Sequence, residues 1–282
     1  MNLNTIMKRT FQRKSVILCA VILVIMVAMV ALASSLAPHD PNAVDLTKRF
    51  LPWSAEYPFG TDDMGRCLFS RLLYGGQMTL VYSLIATLLA AVIGVTIGMI
   101  SAYYGGWIDN VIMRLCDIMY SFPSLIFTLI IVAVLGKGIV NVVIALLVTQ
   151  WLYYARMSRS MTLAVRSQDY IDSAKVSGAS TAQIIFKHIL PNISLQLIAL
   201  ITIDFGHTIL SISGLSFLGL GVQPPDAEWG AMINSGRDFI FQDMSMIMLP
   251  SIAIFLIVLC VNVLGDSLRD ALDLTTDQED GI

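Results

Sequence analysis

An acidic and a basic side chain interrupt a stretch that is otherwise uncharged, in the second half of the chain. Asp204 and His207 lie three residues apart within the run 194–213, and residues at this spacing share one face of a helix. Ionisable groups inside a membrane span are rare and mark substrate or ion pathways. Asp204 and His207 are therefore candidate pathway residues. Alternatively, the two side chains form a buried pair with each other, or they form hydrogen bonds to a partner subunit. One carboxylate and one imidazole are too few for a metal site without ligands from another chain.

Arg114 and Asp117 form a second pair of ionisable residues, near the beginning of another apolar run. They are also three residues apart, so we expect them to pair on one helix face near the cytoplasmic end of a span. Charges near a span are costly unless they are paired or in contact with water. A structural pairing is favoured over a role in a pathway.

The sequence lacks the common motifs of intramembrane proteases and nucleotide-binding enzymes. HExxH is absent, and Ser213 and Ser216 have no nearby base. The phosphate-binding pattern GxxxxGK followed by Ser or Thr is also absent. The four cysteines show no CxxC or Cys/His spacing. We therefore expect no catalytic residue, no metal ligand set and no cofactor bound by this chain.

The composition is that of a helical membrane protein. Of the 282 residues, 56% are hydrophobic and 13% are charged, whereas soluble domains are about 25% charged. The apolar residues form continuous runs, which indicates helices and not transmembrane strands. The net charge of -3 implies no nucleic-acid partner. We predict an all-α integral membrane protein with six transmembrane helices in the lipid bilayer.

The first apolar run follows a basic tail that contains no acidic residue. It covers 15–36, which is longer than the core of a signal peptide, about 7–15 residues, and near the ~20 that span a bilayer. We predict an uncleaved span after a cytoplasmic tail, 1–14. The later predicted segments are the extracytoplasmic segment 37–76, a membrane core 77–266 with helices at about 78–99, 112–135, 139–155, 194–213 and 246–264, and a cytoplasmic tail 267–282.

Small residues and prolines predict where these spans pack, bend and end. Gly94 and Gly98 form a small-xxx-small pair that lets another helix approach closely. Pro123 is expected to kink the third span. The glycines and prolines of 214–245 break any single span, so we expect an irregular outer segment that dips inward and is shielded by protein.

The longest polar interruption in the second half covers 169–192. Gly178 allows a sharp turn, and Ser180 with Gln183 has the spacing of a capping box. Pro191 stops the second helix or opens the next element. The pattern predicts helix, turn and helix projecting into water, and the plain alternative is an ordinary amphipathic loop. The apolar residues on one side of the second helix are Ile184, Ile185, Ile189 and Leu190.

Basic residues predict the orientation. The segment 156–188 contains five Lys or Arg against two Asp, and the N-terminal tail is also basic. The segment 37–76 is nearly balanced, with four basic and five acidic residues. The positive-inside rule therefore places 169–192 and both termini in the cytoplasm.

This loop resembles the EAA loop of ABC-importer permeases, in which a short helix sits in a groove of the ATPase and transmits its motion to the membrane spans. The resemblance covers the coupling loop 165–191 and departs from the pattern at two places, with Asp for Glu at 172 and Ser for Ala at 173. The residues that would dock are Asp172, Ser173, Ala174, Gly178, Ala179, Ile189, Leu190 and Pro191.

Other stretches resemble the dipeptide, oligopeptide and nickel permeases of the same class. The run 59–76 is similar to their GTDxxGRDxxSRLLYG stretch, although Cys67 replaces the usual Asp. The runs 215–230 and 265–273 also resemble this family, the latter at its GDxLRDxLD ending. The resemblance implies the fold of type I, MetI-like permeases.

The resemblance also implies a function and partners. The chain would be the permease of an ATP-driven importer in the bacterial cytoplasmic (inner) membrane. It would work with a second homologous permease, two ATPase subunits that bind ATP and Mg²⁺, and an extracytoplasmic substrate-binding protein. The stretches 151–160 and 204–210 resemble nickel-type members more than dipeptide-type ones. This favours nickel or metal-chelate cargo by a small margin over dipeptides or oligopeptides.

Two other classes of protein are open alternatives. An ion-coupled secondary transporter would contain an inverted repeat, and none is found in the sequence. An intramembrane protease would contain catalytic motifs that this sequence lacks.

Overall fold

Long apolar helices make up most of the described chain. The structure, a computed structural model, describes residue 10 and residues 13–279, with side chains up to 272. Most of the predicted tail 1–14 and the end of the tail 267–282 lie outside these residues. The helices are α1 Lys14–Ala31, α2 Ala33–Leu36, α3 Leu68–Tyr104, α4 Gly106–Tyr120, α5 Ser124–Leu135, α6 Ile139–Arg166, α7 Asp169–Val176, α8 Thr181–Gln183, α9 Leu190–Phe217, α10 Trp229–Gly236 and α11 Ser245–Glu279. A π-helical stretch, Ile184–Ile189, joins α8 to α9, and short 3₁₀ turns occupy Leu46–Lys48 and Arg237–Phe239.

The described residues contain five helices that are long and apolar enough to cross a membrane, or six spans if one bent pair of helices counts as a span. Five are the long helices α1, α3, α6 and α11 and the continuous run 181–217, and the bent pair α4–α5 makes the sixth. The helices extend beyond the apolar runs that predicted them, because a helix satisfies its backbone hydrogen bonds internally and continues into polar sequence. The all-α prediction is confirmed, and the six predicted spans agree with this count when α4–α5 is taken as one span.

The third span differs from its prediction as one helix over 112–135. It begins at Gly106 and is broken between Tyr120 and Ser124, where α4 and α5 meet at 87°. Pro123 stands at the break with extended backbone, and proline removes a backbone donor and clashes with the preceding turn. The predicted kink is thus a full break, which turns α4 away from α5.

Glycines bring α3 and α6 into close contact, as the small-xxx-small pair predicted. A Cβ built on Gly94 would lie 2.3 Å from the Trp151 carbonyl oxygen, and one on Gly98 would lie 2.2 Å from that of Ala155. No side chain fits at either position without separating the helices. This contact fixes the two spans on which the 169–191 segment is built.

The two ends of the helix bundle are distinguished by contacts between elements. The end that carries 169–191 is called the elbow end, and the opposite end is called the far end. Arg166 Nη1 donates to the Ala102 carbonyl oxygen at 2.8 Å, so α3 and α6 both finish at the elbow end. The Gly138 amide donates to the Leu220 carbonyl oxygen at 2.9 Å, so the turn before α6 meets the turn after α9 at the far end.

The beginning of α1 and the end of α11 meet at the elbow end. Arg13 forms an ion pair with Asp270 at 3.1 Å, and the Ser267 hydroxyl donates to the Thr10 carbonyl oxygen at 3.1 Å. Leu272 packs against Ala199, near the start of α9. The first and last described segments therefore lie on the same side of the bundle as the elbow.

Buried charges hold the far end together. Asp62 and Arg66 form an ion pair at 2.6 Å and are both buried. Arg71 Nη1 donates to the carbonyl oxygens of Pro41, at 2.8 Å, and Pro225, at 3.2 Å. The arginine thus joins the segment after α1 to the segment after α9. The 59–76 motif therefore stabilises the packing at this end.

The segment after α9 dips inward, as predicted for 214–245. Trp229 is 1% exposed, packs in the same apolar cluster as Val30 and Ile257, and donates from Nε1 to the Leu72 carbonyl oxygen at 2.9 Å. Glu228, which is 0% exposed, accepts from the Thr79 hydroxyl at 2.8 Å. These groups anchor α10 against α3.

Candidate functional site

The elbow, residues 169–191, consists of α7, a sharp turn, α8 and the π-helical stretch. Gly178 has φ of +83°, in the left-handed region that strains any residue with a Cβ. The Ser180 hydroxyl accepts from the Gln183 amide at 3.3 Å, and the Ser180 amide donates to the Gln183 side chain at 2.8 Å. Both hydrogen bonds of the predicted capping box are present, so α8 starts where the sequence indicated.

The elbow does not end in a helix stop. The backbone continues from α8 through Ile184–Ile189 into α9, with Pro191 in the first turn of α9. Proline is tolerated there because the first amides of a helix have no partner within it. Pro191 therefore opens the next element, one of the two outcomes predicted. As a result, the elbow is continuous with a membrane span.

One face of the elbow is fixed to the bundle. Ile171, Ile184 and Ile189 are each at most 1% exposed and pack in a cluster with Val95 of α3 and Tyr154 of α6. The apolar side predicted for the second helix, Ile184, Ile185, Ile189 and Leu190, is the side that faces this cluster. A displacement of the elbow would therefore act directly on α3, α6 and α9.

The other face of the elbow is open and partly apolar. Val176 is 89% exposed and Phe186 is 65% exposed. Asp172 is exposed and forms an ion pair with Lys175 at 2.7 Å. The Tyr170 hydroxyl accepts from Asn192 Nδ2 at 3.1 Å, and partial burial raises the pKa of this hydroxyl. Exposed apolar side chains beside polar ones are typical of a docking surface.

The predicted docking residues fall on both faces of the elbow. Asp172, Ser173, Gly178 and Pro191 are exposed, Ala174, Ala179 and Leu190 are half-buried, and Ile189 is buried. Exposed members are available to a partner, whereas Ile189 holds the elbow to the bundle. The sequence pattern did not single out Val176 or Phe186, since their exposure depends on which side of the elbow packs.

The predicted pair of Arg114 and Asp117 does not form. Both side chains are exposed, but Asp117 pairs instead with Arg156 of α6, and the Arg156 guanidinium lies 4.5 Å from the centre of the Tyr120 ring. Among the described residues Arg114 has no ion-pair partner. The break at Pro123 brings α4 against α6, so a tertiary contact replaces the local one.

Asp204 and His207 lie on one side of α9, but they do not pair among the described residues. Asp204 Oδ2 accepts from the Tyr154 hydroxyl at 2.6 Å, while His207 is exposed. Sequence reasoning missed Tyr154, which lies fifty residues away along the chain. Its only sequence signal is a tyrosine within an apolar run.

Comparison with known proteins places this architecture in a family. Residues 94–277 match the model of the binding-protein-dependent transport system inner membrane component, and residues 3–52 match the N-terminal TM domain of oligopeptide transport permease C. A probable D,D-dipeptide transport system permease protein of Escherichia coli strain K12 is 42% identical over 90% of this chain and 85% of its own length. A glutathione transport system permease protein of Escherichia coli O6:K15:H31 is 41% identical over 94% of this chain and 88% of its own.

A solved structure shares the fold. The structure titled as an inward-facing conformation of the MetNI methionine ABC transporter matches with a TM-score of 0.59 and 19% identity, over 71% of this chain and 95% of that one. This confirms the predicted MetI-like architecture. Permeases of this kind are multi-pass translocation components that work with ATPase subunits and a binding protein. The chain belongs to the binding-protein-dependent transport system inner membrane components, as a permease subunit of an ABC importer.

Proposed function

We propose that this chain is one of two homologous permease subunits of an importer for small peptides in the bacterial cytoplasmic membrane. Of two ATPase subunits, one docks on the elbow of each permease, and an extracytoplasmic binding protein delivers cargo at the far end. The similar proteins named above are a probable D,D-dipeptide permease and a glutathione permease, which favours peptides. The nickel cargo preferred from the sequence has no counterpart among these relatives, and His207 alone is weak support for it.

The two-faced elbow is the observation that carries this proposal. Its buried isoleucines couple it to three spans, and its exposed Val176 and Phe186 offer a partner an apolar contact. ATP binding closes the ATPases and moves the elbow, and the spans switch from an inward-facing to an outward-facing arrangement. ATP hydrolysis reverses the switch. Each ligand acts by stabilising one state over the other.

Uptake of labelled cargo tests the proposed function. A strain without other peptide and nickel importers, expressing this chain with its co-encoded partners, should accumulate labelled dipeptides or glutathione and no radioactive nickel. The control is the same set of genes without this chain. Nickel accumulation without peptide uptake would refute the peptide assignment, and uptake that persists without the ATPases would indicate an ion-coupled transporter.

Cysteine labelling tests the orientation that the mechanism requires. Val176→Cys at the elbow and Trp53→Cys at the far end replace exposed side chains, 89% and 67% exposed, whereas all four natural cysteines are buried. A membrane-impermeant maleimide should label Trp53→Cys in intact cells and Val176→Cys only after the cells are opened. The reverse pattern would place the elbow outside and exclude ATPase docking there.

A further inference from the structure

A carboxylate with an unused acceptor lies in the fifth span. Asp204 is half-buried near the middle of α9, and its Oδ2 accepts from the Tyr154 hydroxyl at 2.6 Å. The Tyr154 side chain is 0% exposed, so its hydroxyl holds the carboxylate in place. Among the described residues, no cationic side chain lies within ion-pair distance of Asp204, and its Oδ1 accepts no hydrogen bond. His207 lies close enough to act on the carboxylate electrostatically.

A second unused acceptor lies one helical turn away on α6. Gln150 precedes Tyr154 by four residues, and its Nε2 donates to the Thr208 hydroxyl at 3.1 Å. Thr208 in turn follows Asp204 by four residues on α9. The Gln150 Oε1 atom is buried and has no hydrogen-bond partner among the described residues. Two adjacent turns of the α6–α9 contact therefore each contain an acceptor without a donor, and the one on Gln150 is enclosed by protein.

Gln150 also lines a cavity between α5, α6 and α9. The cavity has a volume of about 380 Å³, within the range of about 300–1,000 Å³ typical of small-ligand sites. Polar residues interrupt its apolar wall, among them Ser124, Thr149, Gln150 and Ser211. The rest of the lining is mostly apolar, and Asp204 is not among the residues that form it.

The chemistry of these groups selects the ligand. An ionised carboxylate at membrane depth is costly unless a cation or water compensates it, and both unused atoms accept hydrogen bonds. The α-ammonium group of a peptide carries a positive charge and donates hydrogen bonds, which are the two properties that the free oxygen of Asp204 requires.

We infer that Asp204, positioned by Tyr154, is a transient binding point for the α-ammonium group of a peptide on its way through the permease. The inference rests on the proposed peptide-import function and adds a recognition step within the membrane. Recognition at this point therefore favours a peptide with a free amino terminus over one without it.

The test compares labelled alanyl-alanine, in L,L and D,D forms, and labelled glutathione with their N-acetylated derivatives, using the complete importer in cells. Asp204→Asn keeps the shape and removes the charge, and Asp204→Glu restores the charge. Asp117→Asn is the matched control. It also removes a carboxylate from a helix, but this carboxylate is exposed and pairs with Arg156. Membrane abundance and ATP hydrolysis stimulated by the loaded binding protein are measured for each variant.

Asp204→Asn should lower uptake of the free-amine cargo roughly tenfold, as expected for the loss of one charge-assisted hydrogen bond. Uptake of the N-acetylated form and stimulated ATP hydrolysis should stay unchanged, and Asp204→Glu should recover most of the uptake. The inference is overturned if Asp204→Asn takes up peptide at the wild-type rate. It is also overturned if uptake and stimulated ATP hydrolysis fall together and Asp204→Glu restores neither. If the wild-type importer accumulates no peptide, the proposed function fails first, and the inference fails with it.

Discussion

Replacing Gly178 by valine is expected to abolish transport while the protein remains inserted in the membrane. Gly178 has φ of +83° with no atom within 4 Å of a Cβ built on it, so the added side chain meets no clash and only the backbone is strained. A β-branched residue in this region costs about 1–3 kcal/mol, which the turn relieves by reorienting α7 against α8. ATPase co-purification and uptake should both fall below detection.

A second glycine provides the matched control. Gly138 has φ of +137° and also has no atom within 4 Å of a Cβ, but it lies at the far end. Gly138→Val should impose comparable backbone strain and leave ATPase co-purification intact. Full co-purification with Gly178→Val would contradict the docking role of the elbow, and equal loss in both variants would attribute the effect to general instability.

Replacing Glu228 by alanine is expected to produce the second large effect, on the stability of the far end. Glu228 Oε1 accepts from the Thr79 hydroxyl at 2.8 Å, and Oε2 accepts from the Ala231 amide at 2.9 Å as the cap of α10. Alanine removes the cap from the Ala231 amide and breaks the link to Thr79, whose hydroxyl keeps only the Gly75 carbonyl oxygen as an acceptor. The expected cost is about 2–4 kcal/mol, measured as a fall of several degrees in the Tm of the purified permease.

The control for this change is another glutamate at the same end. Glu56 has a side chain that is 66% exposed and pairs with Lys48 at 3.5 Å, and exposed pairs contribute about 0–1 kcal/mol. Glu56→Ala should therefore leave the Tm nearly unchanged. An equal fall for the two variants would show that the buried hydrogen bonds of Glu228 do not anchor α10.

Local features of the elbow were predictable from the sequence. The capping box depends on residues three apart, Ser180 and Gln183, and the turn depends on the backbone freedom of Gly178. The buried isoleucines follow from the periodicity of a helix. These predictions are confirmed because each depends on residues within one or two helical turns, where geometry is set by the chain itself.

Features that join distant segments were not predictable. Asp117 was expected to pair three residues away with Arg114, but its partner Arg156 is 39 residues away. Tyr154 contacts Asp204 across 50 residues, and Thr79 contacts Glu228 across 149.

The sequence by itself determined the positions of the long apolar helices, the sharp turn and the capping of the elbow, since apolar length, glycine and caps act locally. Only the tertiary structure decided which carboxylates are paired, capped or left with an unused oxygen. The physical reason is that a charged side chain takes the partner that helix packing brings nearest, and that distance depends on the break at Pro123 and on the close contact of α3 with α6.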